Sequence, residues 1–176
     1  MSRWVVVIGA ILIQLALGAI YAWSAFTVPL QGAATAADPA ISEYAFSPME
    51  SLAIFSAGLA TFAIMTIVGG RVMKRIGPMY TTIIGGVVLG IGYILGGLVG
   101  ANFLAKLATI GVIGGAGIGI AYVVPIATGV KWFPDKKGLV SGIAVAGFGF
   151  GALIWILLAN PPSILGFTGL IVMENG

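Results

Sequence analysis

Residues 107–130 read LATIGVIGGAGIGIAYVVPIATGV, twenty-four positions without a charge. As an α-helix they would extend roughly 36 Å, enough to cross a hydrocarbon core of ~30 Å. The chain on either side repeats the theme. Charge-free runs also cover Trp4–Ala37, Ser51–Gly70, Ile76–Ala105 and Gly138–Met173. A spanning helix needs about 20 mostly apolar residues, so each run holds one. The runs are continuously apolar and do not alternate, which selects helices over barrel strands. The spacing predicts helices near 4–30, 51–72, 79–100, 105–130 and 138–159, an all-α transmembrane bundle within residues 1–160. The fifth run is too long for one helix, and Asn160-Pro161-Pro162 breaks it. Ser163–Met173 is then too short to span, so 161–176 is expected as an external loop or the start of a sixth helix.

Composition agrees. Sixty per cent of the 176 residues are apolar, 7% are charged, and the mean hydropathy is +1.15. Such a chain cannot cover its surface in water. Cysteine and histidine are both absent. Disulfides, thiol nucleophiles, thiolate zinc sites, histidine-ligated haem and imidazole acid–base chemistry are thereby excluded. No metal or cofactor is expected. The net charge of +3 comes from loops and reports orientation, not nucleic-acid binding.

With a cytoplasmic N-terminus, Arg3, the Arg71/Lys74/Arg75 cluster and the Lys131/Lys136/Lys137 cluster lie inside, and Lys106 alone lies outside. This is the arrangement the positive-inside rule selects, in a cell (plasma or inner) membrane. The first run also imitates a secretory leader ending at Ala34-Thr35-Ala36, which would make Ala37 the mature start. A leader's apolar region is usually about 7–15 residues. This run is longer and carries Gln14, Tyr21, Trp23 and Pro29, so a retained helix is expected. An odd helix count, with an unfinished apolar stretch before Glu174-Asn175-Gly176, reads as a truncated protein.

Glycines recur at helical spacing: Gly86/Gly90, Gly92/Gly96/Gly100, Gly111/Gly115/Gly119, Gly138/Gly142 and Gly147/Gly151. Residues four apart share a face, and small residues there let backbones approach closely. Smooth seams also allow helices to rock. Gly115-Ala116-Gly117-Ile118-Gly119 lacks the strand, spacing and later acid of a nucleotide loop. No charged residue lies deep in a span. The spans thus offer no proton-coupling carboxylate, no cation for an anion and no acid pair for catalysis, and an enzyme is not expected. What remains inside is aromatic and weakly polar. Gln14, Gly18, Tyr21, Ser24 and Val28 fall on one face of the first helix, with Trp23 pointing away. Tyr122 lies nine residues before Lys131, or ~13 Å along a helix, and Phe148 ten after Gly138, or ~15 Å. Both are expected near the bilayer midplane, where transporter substrates bind, and Tyr21 somewhat above it. Each ring could equally fill a packing gap. Trp4, Trp132 and Phe133 read as interfacial belt residues.

Longer motifs carry a family resemblance. The loop Gly70-Arg71-Val72-Met73-Lys74-Arg75-Ile76-Gly77-Pro78 resembles the major facilitator superfamily signature G-x-x-x-D-R-x-G-R at Gly70, Arg75 and Gly77. Lys74 replaces its aspartate, which in that superfamily locks a helix of the opposite half. Gly115–Tyr122, the loop Lys131-Trp132-Phe133-Pro134-Asp135-Lys136-Lys137-Gly138, Ser141-Gly142, Gly147-Phe148-Gly149-Phe150-Gly151 and Tyr21-Ala22-Trp23-Ser24 together resemble the oxalate:formate antiporter family. The resemblance implies twelve helices in two halves, with this chain supplying the first five and lacking the C-terminal half. It implies a substrate boxed by aromatics and neutralised by basic residues of the missing half. Tyr21, Tyr122 and Phe148 match the first-half aromatics, and Gln14 joins them as a substrate-binding candidate. Asp135, Lys137 and Gly138 join Gly70, Arg75 and Gly77 as loop-motif residues. Phe148 is commonly tyrosine in oxalate carriers, so its missing hydroxyl leaves oxalate and monocarboxylates such as formate, lactate or pyruvate both open.

The expectation is therefore a secondary transporter of small organic anions, antiporter-like, working by alternating access in the bilayer. The chain by itself is expected to be inactive. The other reading is a non-transporting membrane subunit that packs by its glycine seams.

Overall fold

The computed structural model of the chain describes residues 3–31 and 46–159. The segment 161–176 and the Ala34-Thr35-Ala36 site lie outside the described residues. Five long apolar helices run through the rest. Helix α1 is α-helical over Arg3–Leu17, 3₁₀ over Gly18–Ala22 and α-helical again over Trp23–Leu30. Helix α2 is Pro48–Ile76, and α3 is Pro78–Leu98. Helix α4 covers Phe103–Trp132 and is π-wound over Leu107–Gly114. Helix α5 is Lys137–Ala159.

Both ends of helix α2 fall outside its charge-free run, for local reasons. Helix α2 begins before Glu50 because Ser47 and Glu50 form a capping box: the Glu50 N–H donates to Ser47 Oγ at 3.2 Å, and the Ser47 N–H to Glu50 Oε2 at 2.8 Å. Pro48 fits the first turn, where its missing N–H is not needed. At its other end α2 passes Arg71, Lys74 and Arg75, all exposed; long basic side chains can reach out of an apolar layer. Gly77 alone separates α2 from α3, at φ +89°, a conformation that favours glycine. Its N–H donates to the Met73 carbonyl, and its carbonyl accepts from Thr81 Oγ1 at 2.8 Å. One residue thus caps two helices.

Helix α4 is central and packs on the other four. Its glycine row lies against the α2 backbone: a methyl carbon on Gly115 would stand 2.5 Å from the Gly58 carbonyl oxygen, and one on Gly119 2.6 Å from that of Phe62. Gly111 meets the Ile54 carbonyl oxygen in the same way at 3.1 Å. Opposite, Gly85, Gly92 and Gly96 of α3 meet α4, whereas Gly86 and Gly90 face open space. Gly100, at φ +59°, lies in the turn after α3. Gly151 meets the α1 backbone at Leu15 and Gly18, and Gly147 stands 3.5 Å from Gln14 Cβ by the same measure. Gly142 is exposed with nothing near it. In lipid there is no hydrophobic drive between helices, so such close backbone packing holds the bundle. Many of the exposed side chains are large and apolar, Ile64, Ile94 and Phe150 among them, as lipid contact requires.

Side-chain donors add interhelical ties. Trp23 Nε1 donates to the Ser51 carbonyl at 3.2 Å, and Trp155 Nε1 to that of Ala16 at 3.2 Å. Lys106 is buried in the first turn of α4, where its Nζ donates to the Gly96 carbonyl at 2.9 Å. It thereby caps the last turn of α3. At the opposite end, Arg3 lies 4.0 Å from Asp135 and 5.3 Å from the Phe133 ring centroid. Phe133, expected in the interfacial belt, is instead buried against Val7 and Val140, whereas Trp4 and Trp132 are exposed.

Candidate functional site

Four helices each contribute one ring to a single aromatic cluster. Tyr21 comes from the 3₁₀ turn of α1, Phe62 from α2, Tyr122 from α4 and Phe148 from α5. The Phe148 ring centroid lies 5.1 Å from that of Tyr21 and 4.9 Å from that of Tyr122, both edge-on. Phe62 meets Tyr122 edge-on at 5.1 Å and stacks on Phe148 at 6.1 Å with 17° between planes. Separations of about 4.5–7 Å with offset or edge geometry are those the ring quadrupoles favour. Leu17, Ile20, Ile118 and Ala121 back the cluster.

The rings share a depth. Phe62 lies nine residues before Arg71, as Tyr122 lies nine before Lys131, so both stand ~13 Å from the basic end. That arithmetic could have singled out Phe62, as could its line with Gly58 and Thr66 at four-residue spacing; the sequence reading missed it. Phe148 is only 4% exposed and closes the cluster, while Tyr21 is 46% exposed and lies at its open edge. Among the described residues neither the Tyr21 nor the Tyr122 hydroxyl has a hydrogen-bond partner. Two hydroxyl donors are therefore available on an otherwise apolar wall.

Gln14 sits two turns below Tyr21, fully buried where α1 meets α4 and α5. Its Nε2 donates to the Tyr122 carbonyl at 3.4 Å, and its Oε1 has no hydrogen-bond partner among the described residues. Pro125, inside α4, has no N–H to give the Ala121 carbonyl, which lies one residue before the carbonyl that Gln14 meets. Gln14 thus meets the backbone of Tyr122 and not its ring.

The loop-motif residues lie away from the rings. Arg75, Asp135, Lys137 and Gly138 are exposed at the helix ends, Gly70 has open space beside it, and Gly77 is the α2–α3 hinge. Two apolar cavities of about 450 and 410 Å³ run between α1 and α3 and share Ile13 and Thr82. The larger reaches Leu17 and Ala121 behind the cluster, but none of the four rings lines either cavity.

Five apolar spans among the described residues define a multi-pass membrane protein, and similarity to known proteins gives its class. The chain is 36% identical over 86% of its length to the uncharacterized MFS-type transporter YhjX of Escherichia coli (strain K12). It is 32% identical over 92% of its length to apicoplast pyruvate carrier 1 of Toxoplasma gondii. It is 35% identical over 52% of its length to the oxalate:formate antiporter of Oxalobacter formigenes. No family model matches the chain. The matched regions make up 35%, 36% and 22% of those proteins, so the chain spans about a third of the length of the first two. The chain belongs to the major facilitator superfamily.

Proposed function

We propose that these five helices form one wall of a carrier for small organic carboxylates, with Tyr21, Phe62, Tyr122 and Phe148 facing the substrate. The observation that carries this reading is the cluster itself: one ring from each of four helices, closed at Phe148 and open at Tyr21. Relatives named as a pyruvate carrier and an oxalate:formate antiporter support the substrate class. A carboxylate at the open edge accepts hydrogen bonds from the Tyr21 and Tyr122 hydroxyls, while its carbon skeleton lies on Phe148 and Phe62. Hydrogen bonds to a charged partner are roughly twice as strong as neutral ones. The wall bears no cation, so the opposing half of the complete carrier neutralises the anion. Exchange proceeds by rocking one half against the other, without covalent chemistry, and this wall alone is inactive.

The basic helix ends face the cytoplasm of a cell membrane, and the Arg3–Asp135 contact agrees by joining the N-terminus to the α4–α5 turn. The decisive experiment is reconstitution of the complete carrier in proteoliposomes. Counterflow of labelled pyruvate, formate or oxalate is expected from the complete carrier and not from residues 1–176. A stable hetero-complex without flux would instead identify a non-transporting subunit.

A further inference from the structure

The glycine contacts sort the five helices into two units. A methyl carbon on Gly18 of α1 would meet the Phe148 carbonyl oxygen and, at 2.8 Å, Gly151 Cα, both on α5. The other backbone contacts join α2, α3 and α4. Such a carbon on Gly69 would stand 2.6 Å from the Ile120 carbonyl oxygen, and one on Gly92 2.6 Å from the Gly114 nitrogen, as Gly115 and Gly119 meet α2. Among the described glycines, none has backbone of the other unit among its nearest neighbours. Contacts between the units come through side chains instead. Ile20 Cδ1 lies 3.4 Å from the Gly58 position and Val140 Cγ1 2.6 Å from that of Gly129, by the same measure. The Gln14 amide reaches the Tyr122 carbonyl at 3.4 Å, and the Trp23 indole that of Ser51 at 3.2 Å.

The boundary also holds the voids. The 450 Å³ cavity is lined by Ile13, Leu17 and Trp155 of one unit and by Leu89, Tyr93 and Ala121 of the other. In lipid, adhesion between helices depends on close packing, so a boundary of side-chain contacts and voids is weaker than the interior of either unit. The units are joined at the basic end by residues 133–136, where Phe133 packs on Val7 and Val140. The aromatic cluster straddles the boundary at mid-depth. Tyr21 and Phe148 belong to α1 and α5, Phe62 and Tyr122 to α2 and α4. Phe148 crosses to Tyr122 at 4.9 Å and to Phe62 at 6.1 Å.

We infer that α1 and α5 move as one body against α2, α3 and α4, pivoting at the α4–α5 turn, and that the aromatic cluster is the latch across the boundary. When the latch parts, Phe148 leaves Tyr122 and Phe62, and a cleft opens within the wall. Each side of that cleft carries one tyrosine, Tyr21 on the first unit and Tyr122 on the second. A carboxylate held by both hydroxyls ties the units together and shifts the population toward the latched form. Only this last step rests on the proposed function; the division into two units does not.

The test measures distances between paired spin labels on the full chain in lipid nanodiscs. The chain has no cysteine, so every label sits where a thiol is introduced. Phe26→Cys with Leu98→Cys, both exposed near the end far from the pivot, reports across the boundary. Leu12→Cys with Val145→Cys reports within the first unit, and Ile64→Cys with Val87→Cys within the second; all four positions are exposed. The pair across the boundary is expected to show two distances, and each pair within a unit one narrow distance. A Phe26–Leu98 distance as narrow as the other two overturns the inference. Phe148→Ala removes the ring that crosses the boundary, so it is expected to raise the share of the longer Phe26–Leu98 distance and leave the within-unit distances alone. An unchanged share refutes the latch; should that variant fail to fold, the three label pairs on the chain with Phe148 intact decide. In the complete carrier, saturating pyruvate is expected to raise the share of the shorter distance. Two distances in a complete carrier without flux of pyruvate, formate or oxalate sink the proposed function alone. Flux with a single narrow Phe26–Leu98 distance sinks this inference alone.

Discussion

Tyr122 places a hydroxyl that has no hydrogen-bond partner among the described residues on a wall built mostly of ring edges and aliphatic carbon. If that oxygen donates to a carboxylate, its loss removes a hydrogen bond to a charge, worth about 1.5–3 kcal/mol. Tyr122→Phe should therefore raise the half-saturating carboxylate concentration at least tenfold in a proteoliposome counterflow assay. Tyr80→Phe, at the exposed start of α3, should leave it unchanged. Equal behaviour of the two variants would remove Tyr122 from the substrate path. Lys106 makes a separate case at the other end of the bundle. Its Nζ is buried on the Gly96 carbonyl, so Lys106→Met leaves the end of α3 short of a donor. A loss of about 1–3 kcal/mol is expected, visible as a lowered midpoint in a thermal melt in detergent. An unchanged midpoint would show that the α3 end finds another donor.

At the scale of elements, the two glycines Gly115 and Gly142 look alike in sequence and differ in the fold. Gly115 faces the Gly58 backbone, whereas Gly142 faces open space on α5. Gly115→Leu should force α4 away from α2 and abolish the folded, monodisperse protein in size-exclusion chromatography. Gly142→Ala should fold and gain up to about 1 kcal/mol in the same thermal melt, since alanine is the better helix former. If both substitutions are tolerated, close packing at Gly115 is not what joins these helices. Helix periodicity could place Gly111, Gly115 and Gly119 on one face, but could not say which faces of α3 and α5 meet a neighbour. Gly85 packs on α4 and Gly86 does not, although both lie in an equally small and apolar stretch. That choice depends on the crossing of helices, which one helix's sequence does not contain.

At the scale of the whole molecule, the five described spans run antiparallel and put every basic residue but Lys106 at one end. The chain has no cysteine, so single introduced thiols report sidedness cleanly. Lys136→Cys in the exposed α4–α5 turn should react with an impermeant maleimide only after the cell is opened, and Asn102→Cys, exposed at the start of α4, should react from outside. The reverse pattern would invert the proposed orientation.

The number of spans, their approximate limits and their common basic end were determined by the sequence alone. Long charge-free runs have one stable solution in a bilayer, and the basic residues between them are read locally. The capping box at Ser47-Pro48-Met49-Glu50 was equally legible, although dividing the chain at its charges hid it. Tyr21, Tyr122 and Phe148 could be placed at similar depth by counting from the basic ends. That their rings touch, that Phe62 completes the cluster and that Gln14 serves the Tyr122 backbone were decided only by tertiary structure. So was the 3₁₀ winding of α1. Its Ala16 carbonyl accepts from Trp155 on α5, 139 residues away, a donor that no local pattern in α1 announces.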